Sequence, residues 1–238
     1  YAHVERFIGV SGQTENLPHL PDSVFQPPME MHVVEKAVKQ RIEASYPERR
    51  MTIGRTANLT EPLGDRAACH YCGVCARGCS PGAYFSSLSS TLPAANKTDR
   101  LTLRANSVVE GLDYDPALKR ISGVRVIDTV TGERTRFSSQ LVFLCASTVG
   151  SLQVLLNSRS DSFPNGLANR SGTLGHYVMD HVNGAFAAGI TTEFMGKYYY
   201  GYRPNGIYIP RFRNLDPARS DGDFLRGYGY QGGAMAIG

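Results

Sequence analysis

Four of the five cysteines, Cys69, Cys72, Cys75 and Cys79, stand within eleven residues in the run CHYCGVCARGCSPG. Their spacing, C-x2-C-x2-C-x3-C, is the one by which bacterial ferredoxins hold iron–sulfur clusters in thiolate ligands. Two-residue spacers in a tight loop let successive Cys side chains turn inward together, and Gly73 and Gly78 leave the backbone free to wrap. A cluster needs three or four such thiolates. A structural zinc also takes four, but usually as two separated C-x2-C pairs. Neighbouring cysteines of a C-x2-C can also pair as a disulfide, more often redox-active than structural, or stay free. In two-cluster ferredoxins the fourth cysteine of this spacing serves the other cluster. Cys79 therefore either completes one centre or leaves a three-thiolate site, so both 3Fe-4S and 4Fe-4S stay open.

Other residues that could do chemistry are weaker candidates. Cys145 stands alone at the end of an apolar run, where a thiol is expected as a small core residue. Gly227, Gly229 and Gly232 match G-x-G-x-x-G, but a dinucleotide site needs a strand before it, a helix after it and an acidic residue about 20 positions on. The sequence has six more residues, so a glycine-rich turn or strand edge is expected instead. Asp180 and His181 could form an acid–base pair, yet adjacent residues do not generally face the same way, and a structural loop is expected. Asn58, Asn96 and Asn169 open glycosylation triplets that count only in a secretory context.

These residues need elements to position them. Val33, Val34, Ala37, Val38 and Ile42 recur with helical period, predicting an amphipathic helix over about Glu30 to Ala44. A short helix is expected near Ala2–Ile8, a strand over Met51 to Leu59, and a short helix within Ser86 to Ala95. Thr102 to Leu112, Gly123 to Val130 and Glu133 to Phe137 are β-rich and separated by Asp-Pro and Thr-Gly turn signals, predicting a three-strand meander. Leu141 to Ala146 is a continuous apolar run, as in a strand buried on both faces. Ser147 or Thr148 then caps a helix to about Asn157, with Leu152, Leu155 and Leu156 on its buried side. From Gly184 aromatic and β-branched residues alternate with turns, predicting an antiparallel sheet.

The chain has 238 residues and a formal net charge of +4. Its Lys and Arg residues are scattered, which argues against nucleic acid as a partner. No apolar run approaches the roughly 18 residues of a transmembrane helix. The sequence opens at Tyr1 without Met and closes in a Gly-rich stretch, as an internal fragment of a longer protein would.

The residues also carry a family resemblance. YAHVERFIGVSG, PDSVFQPP, CHYCGVCARGCSPGAYFSS, LRANSVVEGLDYD, ISGVRVIDTVTGE, LVFLCASTVGSLQVLLNS and NGLANRSGTLGHYVMDHV resemble, in order, the glucose–methanol–choline (GMC) FAD-dependent oxidoreductases. The branch most similar is that of bacterial gluconate, sorbitol and glucose dehydrogenases. The resemblance runs from residue 1 to about 185 and implies an α+β fold. It assigns 1–65 to a connecting segment on the substrate side and 66–100 to the cysteine loop and a short helix. Residues 101–175 then belong to the FAD-binding domain, and 176–238 begin the substrate domain.

It also implies that Val109 contacts the adenine through its backbone and that the turn Cys145-Ala146-Ser147 lies near the FAD. Ser147 stands where the family usually has Gly, and Leu152 replaces a common Pro. The FAD pyrophosphate motif is expected upstream of Tyr1 and the catalytic His downstream of Gly238, so the fragment alone is expected to be inactive.

The activity so implied is oxidation of a CH–OH group of a sugar or polyol, with hydride passing to flavin and electrons leaving through an iron–sulfur cluster to a cytochrome acceptor. A small partner subunit carrying the export signal is implied with it, and with that a periplasmic location. Two other readings remain at this stage. Long-chain alcohol oxidases carry a similar HYCG loop, and a zinc-stapled, non-enzymatic binding module would use the aromatic strands at 198–230. Tyr198, Tyr199, Tyr200 and Tyr202 could stack on a sugar, though tyrosines in a sheet more often pack.

Overall fold

The computed structural model describes residues 1–238 apart from 182–183, 198–200, 217, 219–222 and 236–238. In chain order the elements are α1 (Ala2–Ile8), α2 (Val33–Ser45), β1 (Thr52–Ile53), a 3-10 turn (Cys75–Arg77), α3 (Thr91–Asn96), β2 (Ser107–Asp115), β3 (Arg120–Asp128), β4 (Arg134–Phe137), α4 (Ser147–Asn157), β5 (Ile207–Ile209) and β6 (Tyr230–Gly232). They gather into two compact units. One comprises Tyr1–Leu101 with Gly189–Gly238, the other Thr102–Ala188.

The unit of Thr102–Ala188 is built on the expected meander, with strand order β2-β3-β4, all antiparallel. Aspartate chemistry closes both turns. Asp115 Oδ1 accepts the N–H groups of Ala117 and Leu118, both at 2.9 Å, and Asp128 Oδ1 accepts those of Val130 and Thr131 at 2.8 and 3.0 Å. One face of the meander packs on α4 through Leu112, Val154 and Leu167, with Val109, Tyr114, Val124, Val142 and Leu144 closing around them. Just past α4 the buried Ser158 hydroxyl donates to Val154 O at 2.6 Å and accepts from Leu112 N–H at 2.7 Å. That one hydroxyl fastens the helix to the middle of β2.

Three expectations for this unit fail. Residues 141–146 form no ladder, because no strand lies beside them among the described residues. Val142 and Leu144 reach the core while Leu141 and Phe143 are exposed, Phe143 to 80%. Cys145 is likewise exposed rather than a core residue. The N-cap of α4 is Ala146, which makes no side-chain cap bond, so neither Ser147 nor Thr148 serves as the cap. The most buried residue of α4 is Val154, and Leu152, Leu155 and Leu156 are half-buried.

In the other unit, α2 begins where a capping box can form. The His32 side chain accepts from Val34 N–H, and Glu35 Oε2 accepts from His32 N–H at 2.8 Å, which satisfies two otherwise orphaned donors. Glu35 has a second role. Arg203 Nη2 donates to both of its carboxylate oxygens at 2.7 Å, and Ala234 N–H donates to Oε1 at 3.0 Å. The helix start is thus tied to the chain on either side of β5 and β6.

These two strands and β1 make a three-stranded antiparallel sheet of order β1-β5-β6, with Thr52 opposite Tyr208 and Tyr208 opposite Gln231. Only Thr52–Ile53 of the expected Met51–Leu59 strand is laddered. Beyond it the chain pairs irregularly, Gly54 N–H donating to Gly206 O at 2.8 Å and Thr56 exchanging bonds with Ser11. Gly229 and Gly232 of the G-x-G-x-x-G string lie beside and within the short strand β6. No helix follows among the described residues, in keeping with a strand edge. The stretch 184–190 contributes no strand, and the antiparallel sheet expected from Gly184 onward is realised only in β5 and β6. No helix is long and apolar enough to cross a membrane among the described residues.

Candidate functional site

The cysteine segment is a loop shut at its base. The strip 57–59 holds both of its ends, with Cys69 N–H donating to Leu59 O at 2.8 Å, Leu59 N–H to Ala83 O at 3.0 Å, and Phe85 N–H to Ala57 O at 2.9 Å. Ala67 N–H reaches across to Pro81 O at 2.9 Å. Arg66, buried at the neck, donates to the carbonyls of Gly82, Ala83 and Ile8 at 2.9, 3.1 and 2.7 Å. Burial presses the Arg66 pKa down, and the nearby Cys79 sulfur acts the opposite way.

Inside the neck the backbone wraps tightly. Tyr71, Gly73 and Gly78 all take positive φ, at 59°, 75° and 110°, and the 3-10 turn at Cys75–Arg77 completes the winding. Three sulfurs receive N–H groups. Tyr71 N–H points at Cys69 Sγ at 3.4 Å, Tyr84 N–H at Cys79 Sγ at 3.3 Å, and the Asn58 side-chain amide at Cys75 Sγ at 3.8 Å. Burial pushes the Cys69 thiol pKa up; the Tyr71 N–H opposes this, and charge on Cys75, Cys79 and Cys72 adds to the rise.

Tyr202 closes one flank of the loop. Its N–H donates to Tyr71 O at 2.7 Å, and residues 72 and 202 bridge in parallel. A Cβ on Gly73 would sit 2.8 Å from that of Tyr202, so this glycine is needed for close approach as well as for its φ. The Tyr202 ring remains mostly exposed. Tyr198, Tyr199 and Tyr200, the other tyrosines that could stack on a sugar or, more often, pack, lie outside the described residues. A groove of about 700 Å³ runs along the sheet of the same unit, between Ile53, Arg55, Asn205 and Tyr208.

All four cysteines of the loop are free thiols. Among the described residues no group of three or more His, Cys, Asp or Glu side chains is placed to hold a metal ion. A tetrahedral thiolate zinc, with Zn–S near 2.3 Å, would need its sulfurs roughly 3.8 Å apart. A cluster of several irons spreads its thiolates further, and N–H groups directed at sulfur suit thiolate ligands. Cysteine thiolates are the donor type that an iron–sulfur cluster takes.

Asp180 and His181 are fully exposed and touch mainly each other. Asp180 Oδ1 accepts from His181 N–H at 2.6 Å and lies 3.2 Å from its Nδ1. The His181 N–H and then its ring hold the Asp180 pKa below the usual carboxylate value. Asn58 is buried to 1% exposure, so its triplet is closed to glycosylation.

Sequence reasoning missed Asn58, Arg66 and the Tyr202 flank. Arg66 stands three residues before Cys69, and its partners Gly82 and Ala83 follow the loop's Ser80-Pro81 exit. A cation before a loop and a turn after it are the signal it left.

The model of the GMC oxidoreductase family matches residues 29–183, more than half of the chain and including the whole cysteine loop. The chain belongs to the GMC oxidoreductase family. A 2-methyl-1,2-propanediol dehydrogenase of Mycolicibacterium austroafricanum is 33% identical over 112 residues, which cover 47% of this chain and 20% of that relative. The chain matches about a fifth of the length of that curated relative.

GMC membership implies FAD, and the residues assigned to it lie in the unit of Thr102–Ala188. Val109 sits in β2, an edge strand of its sheet. An edge strand leaves one row of backbone N–H and C=O groups directed away from its neighbour. Its side chain packs on the core that α4 shares. Ala146 and Ser147 form the turn into α4. Ser147 has φ of 60°, a conformation that suits glycine, and glycine is what GMC proteins usually carry here. The backbone keeps the glycine shape although the residue has changed.

Proposed function

We propose that this chain is part of an FAD-dependent dehydrogenase that oxidises a CH–OH group of a polyol or sugar. Cys69, Cys72, Cys75 and Cys79 hold an iron–sulfur cluster that carries the electrons onward. The observation supporting the cluster is the closed loop itself, in which four free thiols stand within eleven residues and three of their sulfurs face N–H donors. Family membership and the similarity to a diol dehydrogenase support the substrate class.

FAD, when bound, takes the hydride from the carbon. The chain's own part is to position and insulate. The edge of β2 at Val109 and the turn at Ala146–Ser147 offer backbone groups to the dinucleotide. Arg66 and the strip 57–59 hold the neck of the cysteine loop shut. Tyr71 and Tyr84 N–H groups stabilise thiolate charge. The hydride brings two electrons, whereas a cluster passes them singly, so the reading requires a one-electron acceptor such as a cytochrome. It also takes a small partner subunit to carry the export signal to the periplasm.

The test uses the full-length protein purified without oxygen. Three or four irons per chain, with matching sulfide, are expected. One zinc and no iron would overturn the cluster and make the loop a structural staple. In the Cys75→Ser protein, substrate is expected to keep reducing the flavin while reduction of cytochrome falls by tenfold or more. Equal loss of dye and cytochrome reduction would sink the relay.

A further inference from the structure

Asn58 is among the most buried side chains of the chain, at 1% exposure, and it is polar. A buried amide without partners costs several times the stabilisation of a typical hydrogen bond, so such a residue is held by what it bonds. Its Oδ1 accepts the Thr56 hydroxyl at 2.8 Å, and its Nδ2 donates to Cys75 Sγ at 3.8 Å. The backbone on both sides is already fixed by the pairing of Ala57 and Leu59 with Phe85 and Ala83, so the side chain is not required to shape the strip. A leucine would fill the volume without an amide to satisfy. The other N–H groups directed at loop sulfurs come from the backbone of Tyr71 and Tyr84. Among the described residues, Asn58 is the side chain that donates to one.

We infer that Asn58 is a positioning residue that sets the reduction potential of the metal centre through its amide hydrogen bond to the Cys75 sulfur. The inference rests on the cluster reading above. A donor at a ligating sulfur favours the state with more negative charge, which is the reduced cluster. Thr56 assists by engaging the opposite end of the amide, while a ligating thiolate can only accept, so Nδ2 is the end that faces it. Removing the donor raises the free energy of the reduced form and lowers the potential. Asn58→Leu deletes the donor, and Asn58→Asp sets an oxygen of the same shape against the sulfur.

The experiment is a redox titration of the full-length protein followed by electron paramagnetic resonance, alongside iron counted per chain. Asn58→Leu is expected to shift the one-electron reduction equilibrium roughly tenfold toward the oxidised form, about 59 mV, with iron content unchanged. Asn58→Asp is expected to shift it further in the same direction. Thr56→Val keeps the donor but frees the amide, and a smaller fall is expected; it decides the question if the Asn58 variants lose their iron by misfolding. Wild-type iron with an unshifted potential in every iron-bearing variant overturns the role of Asn58 and leaves the cluster standing. Wild-type protein without iron overturns the cluster reading, and this inference with it.

Discussion

Ser147 carries a glycine's torsion with a side chain attached. A non-glycine residue in the left-handed region costs roughly 1–2 kcal/mol, and glycine returns part of that through the extra freedom of its unfolded chain. Ser147→Gly is therefore expected to stabilise the chain by about 1 kcal/mol, read as a higher denaturation midpoint at unchanged slope. A loss of stability would mean that the Ser147 side chain makes a contact worth more than the strain. The family resemblance singled this position out, but a torsion is not written in a sequence, and only the structure shows that the turn kept its shape. Asn58 is the opposite case. In the sequence it reads as the first residue of a glycosylation triplet, because nothing local distinguishes a buried asparagine from an exposed one. Its partner Cys75 lies 17 positions away, and that distance in the chain hid its role.

At the scale of elements, the meander was legible because its turns are local. Asp115-Pro116 and Thr131-Gly132 both mark chain reversals, and their aspartates bond the next backbone N–H groups. The sheet β1-β5-β6 was not legible as a unit, because strands of two and three residues carry too little alternation to announce partners 150 positions apart. The apolar run 141–146 misled for a related reason. Hydrophobicity says that a segment is to be covered, whereas a strand exists only where another strand lies beside it.

The meander also carries a charge device. Asp113 in β2 bonds Arg136 Nε at 2.7 Å and pairs with Arg125 of β3. Burial alone would raise the Asp113 pKa, but the hydrogen bonds and charges of Arg136 and Arg125 outweigh it and hold it below the ordinary carboxylate value. The stabilisation is thus complete above the unfolded value near 3.9 and fades as pH falls through the lower folded value. Asp113→Asn is expected to cost about 1 kcal/mol at pH 7, the pair being partly exposed, with the difference from wild type closing below about pH 3.9. Denaturation at pH 7 and pH 3 tests this. A difference that persists at pH 3 would assign the loss to packing rather than charge.

At the scale of the molecule, the feature that joins the most distant parts of the sequence among the described residues is Glu35. Its carboxylate meets Arg203, 168 positions on, and the N–H of Ala234, 199 positions on. Glu35 and Arg203 side chains are only 3% and 11% exposed. Breaking a buried pair strands the remaining charge, so Glu35→Gln is expected to destabilise by about 3 kcal/mol or more. Glu35→Leu combined with Arg203→Met should recover much of that loss. If the double variant is worse than Glu35→Gln, the carboxylate's bonds to the backbone, rather than the ion pair, hold the unit together.

The neck of the cysteine loop has a consequence for how the protein is made. Arg66 bonds Gly82 O across 16 positions, and closing such a span takes about 2.5 kcal/mol of chain entropy. That entropy is surrendered when the polypeptide folds, and the bonds of Arg66 to three carbonyls help to offset it.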